Sequence, residues 1–320
     1  MNIGKLTNET LDRLILSKFR KTRKESFGAP RIGMDCATLD FGNDLIVTSC
    51  DPITSADWRR IGSLSVHVNC NDAAAGGAEP VGLLVTLLLP KDATEAMIGQ
   101  IADDLQRAAE HAGVDILGGH TEVTDAVTRV VTNTTVLARM PKDRVLCGAR
   151  PNDTLVMTKW AALEGTMLLA QEHADKLTGV DASVIREACA LDALLSVVPE
   201  SKIALSVGAH AMHDVTEGGV LGAVYEIAAQ SGCGACIDLE KIPILPITKI
   251  ITDAVRIDPY RLISSGALLI ACQNGDAMCD ALQQAGIFAS VIGSITASGC
   301  TFSDGTPIDP PGADELYRLF

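Results

Sequence analysis

The sequence predicts an α/β protein of two domains. Its 320 residues exceed what one hydrophobic core usually serves. Short apolar or β-branched runs alternate with segments of helical periodicity, which is the pattern of α/β folds. Residues 141–153, with two prolines, one glycine and several charged residues, separate two such series. We therefore expect an N-terminal domain over residues 1–145 and a C-terminal domain over residues 146–320.

The predicted elements of the first domain follow in order. Apolar residues recur at helical spacing over residues 8–19 and predict an amphipathic helix. Residues 20–34 are basic and then bear Gly and Pro, so they predict a loop that either closes over an anion or is simply solvated. Beyond this loop the pattern predicts helices at 61–75 and 94–112 and strands at 45–49, 81–89, 114–117 and 128–138.

The same alternation restarts after the linker. Strands are predicted at 154–158, 235–239, 267–272 and 288–292, and helices at 161–173, 183–195, 201–207, 218–230, 246–256 and 275–285. The last twenty residues contain three prolines and predict an irregular tail that ends in a short acidic and apolar turn.

The charge balance excludes several classes of partner. Lys and Arg number 26 against 40 acidic residues, and the net charge of −14 argues against nonspecific binding of nucleic acid or of an anionic membrane. An anionic substrate would therefore need metal ions or helix N-termini. No apolar run is long enough to span a membrane and no secretory signal is visible, so we expect a cytoplasmic protein.

Ten cysteines are interpreted as mainly reduced thiols in such a protein. Most are single residues among apolar or small neighbours, where a buried free thiol is expected. Cys233 and Cys236 have the spacing of a metal or redox pair, but no second pair and no nearby histidine accompanies them, so a structural role is favoured.

The segment 67–80 places amides and a carboxylate within a predicted helix of small residues. An ordinary buried helix would carry apolar side chains at Asn69, Asn71 and Asp72. A buried amide or carboxylate without a partner costs roughly 2–7 kcal/mol. We therefore expect a polar site in which something satisfies these three side chains.

Four carboxylates follow or interrupt buried elements of the first domain, namely Asp35, Asp51, Asp72 and Glu122. Carboxylates at strand ends can converge on a hard cation, and Mg²⁺ commonly binds one or two of them together with phosphate oxygens. Taken singly, each is more typical of a helix cap or a turn. Taken together, they predict a site that handles phosphate.

Two glycine pairs are further candidates. Gly118 and Gly119 follow a predicted strand and allow close approach of a ligand, while His120 could be a ligand, a proton carrier or a loop histidine with its own partners. In the second domain, Thr216 can cap a helix whose first N–H groups, at residues 217–219, form an anion site. The alternative is a well-capped core helix, which does not explain a glycine pair in its first turn. Neither common glycine-rich nucleotide signature occurs at a strand-to-helix junction.

Five motifs stand in an order that resembles one superfamily: Gly33-Met-Asp35-Cys-Ala, Thr48-Ser-Cys-Asp51, Asn71-Asp72-Ala-Ala-Ala-Gly-Gly-Ala78, Gly118-Gly-His-Thr-Glu122 and His213-Asp214-Val-Thr-Glu-Gly-Gly219. The superfamily contains aminoimidazole ribonucleotide (AIR) synthetase, selenophosphate synthetase, thiamine monophosphate kinase and the hydrogenase maturation factor that dehydrates a thiocarboxamide. Ile-Pro-Ile at 242–244 and Ser265-Gly-Ala-Leu-Leu269 resemble the maturation factor branch. The resemblance covers nearly the whole chain.

The resemblance implies a two-domain AIR synthase-like α/β fold and a homodimer in which the N-terminal mixed sheets pair into a barrel. It also implies ATP with Mg²⁺, and a reaction in which ATP phosphorylates an oxygen of a small acceptor. The implied site consists of the metal ligands Asp35, Asp51 and Asp72, the catalytic residues Asp72, His120 and Asp214, and the cofactor-binding residues Asn69, Asn71, Gly118, Gly119, Thr121, Glu122, Thr216, Gly218 and Gly219.

The sequence departs from the superfamily pattern at two main points. The maturation factor carries an acceptor cysteine at its C-terminus, whereas this sequence ends Asp314-Glu-Leu-Tyr-Arg-Leu-Phe320, and Cys300 is a poor substitute. The kinase-like branch has Asp at the position of His120. We expect an ATP- and Mg²⁺-dependent enzyme that is a paralogue of the maturation factor. The alternatives are a non-catalytic ATP-binding partner in a maturation complex and a true dehydratase that uses another thiol.

Overall fold

The structure is a computed structural model that describes residues 8–9, 32, 37–40 and 42–319. The predicted helix at 8–19 and the basic loop at 20–34 lie almost wholly outside these residues. Asp35, one of the three predicted metal ligands, also lies outside them. The chain that follows forms two α/β halves, as the sequence predicts.

The first half is built on a five-stranded mixed sheet. Its strands are β1 Ala37–Asp40, β2 Asp44–Ile53, β3 Glu79–Leu89, β4 Asp115–Val123 and β5 Val131–Pro141. The spatial order is β1-β2-β5-β3-β4, with β3 and β4 parallel and every other pair antiparallel. Alternation along β5 buries Thr132 and every second residue to Met140, so the sheet has one covered face and one open face.

Two helices cover the buried face of this sheet. They are α1 Ile61–Ala75 and α2 Glu95–Ala112, and α2 begins at Thr94, whose side chain accepts a hydrogen bond from Met97 N. Helix α2 is amphipathic and buries Ile101 and Leu105. Helix α1 is different, because every residue except Val68 is buried. A helix buried on all sides needs neighbours on all sides, and α1 packs against the first sheet, against α2 and against the second half of the chain.

The second half is built on a six-stranded sheet of order β11-β8-β10-β6-β9-β7. Its strands are β6 Thr154–Thr158, β7 Ala209–Asp214, β8 Gly234–Ile237, β9 Leu268–Cys272, β10 Ala289–Thr296 and β11 Cys300–Phe302. Its helices are α3 Leu163–Glu172, α4 Ala182–Cys189, α5 Val198–Val207, α6 Gly219–Gln230, α7 Pro246–Val255 and α8 Gly275–Gln284. Helix α6 packs with Leu155 and Met157 on one side of the sheet, whereas α5 and α8 pack with Val156 on the other.

The structure corrects several predicted elements. The strand predicted at 114–117 continues to Val123, so the motif from Gly118 to Glu122 lies within β4 and not in a loop after it. Strand β7 was not predicted, because its sequence Ala-His-Ala-Met-His-Asp lacks a β-branched run. The linker region contains a 3₁₀ turn, Lys142–Arg144, and Lys142 Nζ lies 2.8 Å from Asp40 Oδ2. Among the described residues, no helix has both the length and the apolar character needed to cross a membrane.

Gly119 provides a test of the parallel pairing between β3 and β4. Its φ is +146°, and a Cβ built on it would lie 1.8 Å from Val85 O. We expect Gly119→Ala to lower the unfolding free energy by about 2–3 kcal/mol, measured by chemical denaturation. Gly99→Ala is the control, because Gly99 lies within α2 with open space around it, and this change should stabilise the protein by up to about 1 kcal/mol. Equal effects of the two substitutions would contradict the assigned pairing.

Candidate functional site

The polar run of α1 begins with Asn69, which holds β2 against the helix. The backbone N–H of Asp51 donates to Asn69 Oδ1 at 3.0 Å, and Asn69 Nδ2 donates to Ser65 O at 3.0 Å and to Asp51 O at 3.4 Å. Asn69 is fully buried, and these hydrogen bonds offset the free energy of removing its amide from water. The carboxamide therefore positions the backbone of Asp51, and a direct contact of Asn69 with a cofactor stays a prediction.

Asn71 joins the two halves of the chain. Its Nδ2 donates to Leu195 O at 2.7 Å, and its Oδ1 accepts from Val197 N at 2.8 Å. Ser201 Oγ of α5 adds a bond to Ala74 O at 2.6 Å. Because Asn71 is fully buried and both ends of its amide are used, its observed role is to fix the second half against α1.

The two carboxylates nearest this polar run are those of Asp51 and Asp72. Asp72 is 5% exposed and lies one turn beyond Asn69, so the two side chains share a helix face. Asn69 holds the backbone of Asp51 at the same place. The second half contributes Asp214, which is 2% exposed and ends β7, a strand that packs against α1. The structure thus places the backbone of Asp51 and the strand β7, which ends at Asp214, against the helix that bears Asp72.

The Gly118–Glu122 motif, which lies in β4, is distant from Asp51 in the sheet. In cross-strand register, Asp51 pairs with Thr134, Thr134 with Val85, and Val85 with Gly119. Three strand spacings separate β2 from β4, which is roughly 14 Å.

Every residue of β4 is exposed, including Gly118, Thr121 and Glu122. His120 is the register partner of Thr86, on the sheet face opposite α1, and its Nε2 lies 3.3 Å from Glu122 Oε2. Within one chain the structure therefore separates His120 from Asp72.

The second glycine pair lies at the start of α6. Gly218 is the N-cap residue with φ +86°, and no side chain caps the helix, so the predicted capping role of Thr216 is wrong. Thr216 instead offers its backbone oxygen to Gly219 N at 3.1 Å. Gly219 has φ +61°, and a Cβ there would lie 2.5 Å from Tyr260 O. Backbone conformation and close packing therefore account for both glycines.

The N–H groups of this turn are already used by the protein. Leu221 N donates to Tyr260 O at 3.1 Å, and Gly218 N donates to Asp314 Oδ2 at 2.8 Å. Asp314 belongs to the C-terminal tail. The position predicted for an external anion is thus occupied by a carboxylate of the same chain.

The sequence analysis missed a buried ion pair between Lys159 and Glu200. Lys159 Nζ lies 2.7 Å from Glu200 Oε1 and donates to the carbonyls of Leu194 and Ser196 at 2.7 and 2.6 Å. Burial lowers the pKa of Lys159, and the nearby Glu200 opposes that shift. No local pattern marks these residues, because Lys159 and Glu200 are far apart in sequence.

His67 lies on α1 two residues before Asn69. Burial lowers its pKa to about 4, with smaller contributions from His111 and Lys159. Its ring stands edge-on to that of His111, with centroids 6.1 Å apart. His67 is therefore a neutral, packed histidine near neutral pH.

The described cysteines are free thiols, and two of them contradict the expectation of burial. Cys50 and Cys147 are exposed. Alternation along β2 turns Cys50 to the open face of the sheet. There its sulfur accepts hydrogen bonds from Thr135 Oγ1 at 3.1 Å and from Asn133 Nδ2 at 3.2 Å. In the part of the chain that the structure covers, no group of three or more His, Cys, Asp or Glu side chains could hold a metal ion, and this includes the surroundings of Cys233 and Cys236.

A cleft of about 880 Å³ lies between the halves, just beyond the C-terminal end of α1. Glu79 lies within it, paired with Arg139 at 3.3 Å and with Lys202 at 3.8 Å. Register places this end of β5 five residues from the partner of Asp51, roughly 17 Å along the strand. This end of the cleft is therefore distant from Asp51.

Comparison with known proteins identifies the family. Residues 33–140 match the N-terminal domain of the AIR synthase related proteins, and residues 150–304 match their C-terminal domain. The chain belongs to this family. The AIR synthase related domains thus cover most of the chain, and the resemblance to the superfamily is confirmed.

Relatives and solved structures agree with the hydrogenase maturation branch of the AIR synthase related proteins. The carbamoyl dehydratase HypE of Cupriavidus necator is 30% identical over 221 residues, which are 68% of this chain and 61% of that protein. The chain thus matches less than two thirds of the length of that relative.

Two solved structures share the fold. One is from a HypE–HypF complex, with a TM-score of 0.77, 22% identity and coverage of 94% of this chain and 99% of that one. The other is HypE in complex with ATP, with a TM-score of 0.74, 22% identity and coverage of 98% and 97%. At these identities the likeness shows the fold.

Removing the amide of Asn71 should weaken the connection between the halves. We expect Asn71→Ala to lower the unfolding free energy by about 2–4 kcal/mol, because Leu195 O and Val197 N each lose their partner and a buried unpaired group costs about 1–3 kcal/mol. The control is Gln283→Ala, which removes an exposed amide on α8 and should change stability by less than about 0.5 kcal/mol. A change for Asn71→Ala no larger than that of the control would show that the bonds contribute nothing.

The raised pKa of Glu164, on α3, can be tested through the pH dependence of stability. It is fully buried, and burial raises its pKa to about 7, with further contributions from Asp314 and Glu217 against hydrogen bonds from Ser265. The folded protein therefore holds a proton that the unfolded chain releases near its ordinary pKa of 4.5.

Stability contributed by the protonated Glu164 is complete below pH 4.5 and is lost as pH rises to about 7. We expect the difference in unfolding free energy between the native protein and Glu164→Gln to decline over that range by up to about 1.4 kcal/mol per pH unit, and then to level off. Denaturation at a series of pH values measures it. A difference that does not vary with pH would contradict the shifted pKa.

Proposed function

We propose that this protein binds ATP with Mg²⁺ and uses it to phosphorylate an oxygen of a small acceptor, as a paralogue of the hydrogenase maturation factor. The observation that carries this proposal is the packing of β2, at Asp51, and of β7, which ends at Asp214, against the buried helix α1 that bears Asp72. Nothing about ordinary helix packing requires a run of two amides and a carboxylate there. The solved structure of HypE in complex with ATP supports the choice of nucleotide.

The described side chains fit a magnesium ion that is bound mostly by its nucleotide. Asp51 and Asp72 supply two carboxylates, and no third acidic, histidine or cysteine ligand joins them among the residues that the structure describes. Mg²⁺ in nucleotide sites commonly uses one or two carboxylates with phosphate oxygens and water, so two suffice. Asp35, which the family motif adds, would be a further ligand. Bound Mg²⁺·ATP would supply the transferable phosphoryl group and neutralise its charge.

Each residue of the polar run has a task in this proposal. Asn69 fixes the backbone of Asp51, so that its carboxylate is held in place before the ligand arrives. Asn71 fixes the second half against α1, which keeps β7, the strand that ends at Asp214, packed on the helix that bears Asp72. Rigid placement of the acidic groups lowers the entropy lost on binding. We accordingly assign ATP binding and dimerisation to residues 1–145 and the completing α/β domain to residues 146–320.

The open face of the first sheet supports a homodimer. Strand β4 is fully exposed at the edge of its sheet, and exposed apolar side chains stand on it or on β3, including Leu84, Ile116 and Leu117. An exposed apolar edge of this kind favours pairing with a second copy. In such a dimer the Gly118–Glu122 motif, and with it His120, would serve the partner subunit, which accounts for its separation from Asp72 within one chain.

A second candidate function is a non-catalytic ATP-binding partner in a maturation complex. The solved HypE–HypF complex supports it, because the HypE chain in it shares the fold of this chain over almost its full length. Both functions include nucleotide binding, so release of phosphate separates them.

The carboxylates should control nucleotide binding. By calorimetry, we expect Mg²⁺·ATP to bind the native protein and Asp51→Asn or Asp72→Asn to weaken binding at least tenfold, since each removes a negative oxygen ligand of the ion. The control is Asp92→Asn, an exposed carboxylate in a turn, which should bind normally. Absence of binding at millimolar nucleotide would remove both candidate functions. Binding with the same slow phosphate release in the native protein and in Asp72→Asn would favour the non-catalytic partner.

A further inference from the structure

The C-terminal tail packs on the start of α6. Asp314 is 2% exposed, and its Oδ2 accepts from Gly218 N at 2.8 Å while its Oδ1 accepts from Leu316 N at 2.9 Å. Pro311 lies against the same turn, with its Cβ 3.6 Å from the position that a Cβ on Gly218 would occupy. A carboxylate on the first N–H of a helix occupies the place that a free anion would take.

Further contacts hold the tail in this position. Tyr317 Oη donates to Glu217 Oε1 at 2.8 Å, and Asp258 N donates to Glu315 Oε2 at 3.3 Å. Lys176 Nζ donates to Leu319 O. These contacts spread over the 3₁₀ helix Glu315–Leu319 and three separate parts of the second half, so the docking is specific and not a chance approach of a chain end.

The tail completes a set of acidic groups that it does not neutralise. Glu164 on α3, Glu217 before α6 and Asp314 on the tail lie close enough to raise the pKa of Glu164, and Glu164 Oε2 is buried without a hydrogen-bond partner. Burial also raises the pKa of Asp314 to about 6.

Two cations of the same region bind other oxygens, since Arg318 pairs with Glu315 at 2.7 Å and Arg261 donates to Asp309 O at 3.4 Å. The Asp314 carboxylate is held by backbone N–H groups. A ligand that brings its own cation, as Mg²⁺·ATP does, can therefore compete with it for Gly218 N.

We propose that residues 310–319 form a self-inhibitory latch: Asp314 and Tyr317 occupy a ligand subsite at the start of α6 and must leave before that subsite can bind. The tail shows the chemistry of the ligand. The N–H of Gly218 donates to the Asp314 carboxylate, so it can donate to an oxyanion of a ligand. The Glu217 carboxylate accepts from the Tyr317 hydroxyl, so it can accept from a hydroxyl group of a ligand. The matching ligand carries a phosphate or carboxylate beside a hydroxyl group. The latch depends on the proposed function only in naming Mg²⁺·ATP as one such ligand.

The test compares the native protein with the double variant Asp314→Ala/Tyr317→Phe. Calorimetry with Mg²⁺·ATP and, separately, with inorganic phosphate should show at least tenfold tighter binding of one or both probes to the double variant. The control Asp304→Asn changes an exposed carboxylate that accepts from Thr306 N in a turn, and it should bind as the native protein does.

A second measurement does not depend on the variant. Amide hydrogen exchange at Leu316 in the native protein should accelerate when the bound probe displaces the tail, because this N–H is protected by Asp314 in the docked state.

The outcomes separate the latch from the proposed function. Equal affinity of the native protein and the double variant for Mg²⁺·ATP, with exchange at Leu316 unchanged on binding, overturns the latch and leaves the function standing. Binding of inorganic phosphate but not of Mg²⁺·ATP to the double variant supports the latch and overturns the function. Failure of the double variant to bind either probe overturns the latch.

Discussion

The burial of α1 on every side is the constraint on which the rest of the structure depends. A helix packed against a sheet normally keeps one polar face in water, but α1 has the first sheet, α2 and the second half of the chain around it. Small residues such as Ala73 and Ala74 allow these neighbours to come close. The polar side chains that remain must then bond to protein groups or to a ligand, because no water reaches them.

Asn69 and Asn71 satisfy this constraint with backbone groups, and in doing so they determine the geometry of the site. Asn69 bonds to β2 at Asp51, and Asn71 bonds to residues 195 and 197 of the second half. Two helix residues thus set the position of a carboxylate in one domain and of a loop in the other. Preorganisation of acidic groups and rigidity of the domain interface have the same physical source in this molecule.

Local patterns were sufficient for much of the fold. The bounds of α1 were predicted correctly, and α2 begins within one residue of its predicted start at Thr94, because apolar periodicity acts within a few residues. The strand β4 was predicted too short, since its glycines signal a loop locally, whereas pairing with β3 holds them extended. Strand β7 was missed because its place beside β9 depends on residues more than fifty positions away.

The candidate site divides in the same way. Asp51, Asn69 and Asp72 were found because their residue types are unusual among apolar neighbours. The partners of Asn69 and Asn71, the pairing of Lys159 with Glu200 and the burial of Glu164 could not be read, because each depends on contacts between distant parts of the chain. Thr216 was assigned a cap because Ser and Thr often cap helices, but the αL conformation of Gly218 starts α6 in another way.

The predicted site residues lie in separate parts of the structure, and this separation constrains any mechanism. Asp51 and Asp72 are tied to a buried helix, so they cannot move far without breaking the contact between domains. His120 and Glu122 stand on an exposed edge strand, roughly 14 Å across the sheet from Asp51, and only another surface can bury them. The Gly218 turn is reached by the chain's own tail. Under the proposed function, Asp51 and Asp72 are held rigidly, the β4 edge needs a second surface, and the Gly218 turn is covered by the tail. The proposed site is then complete only after two copies assemble and the tail is released, and each step can be regulated.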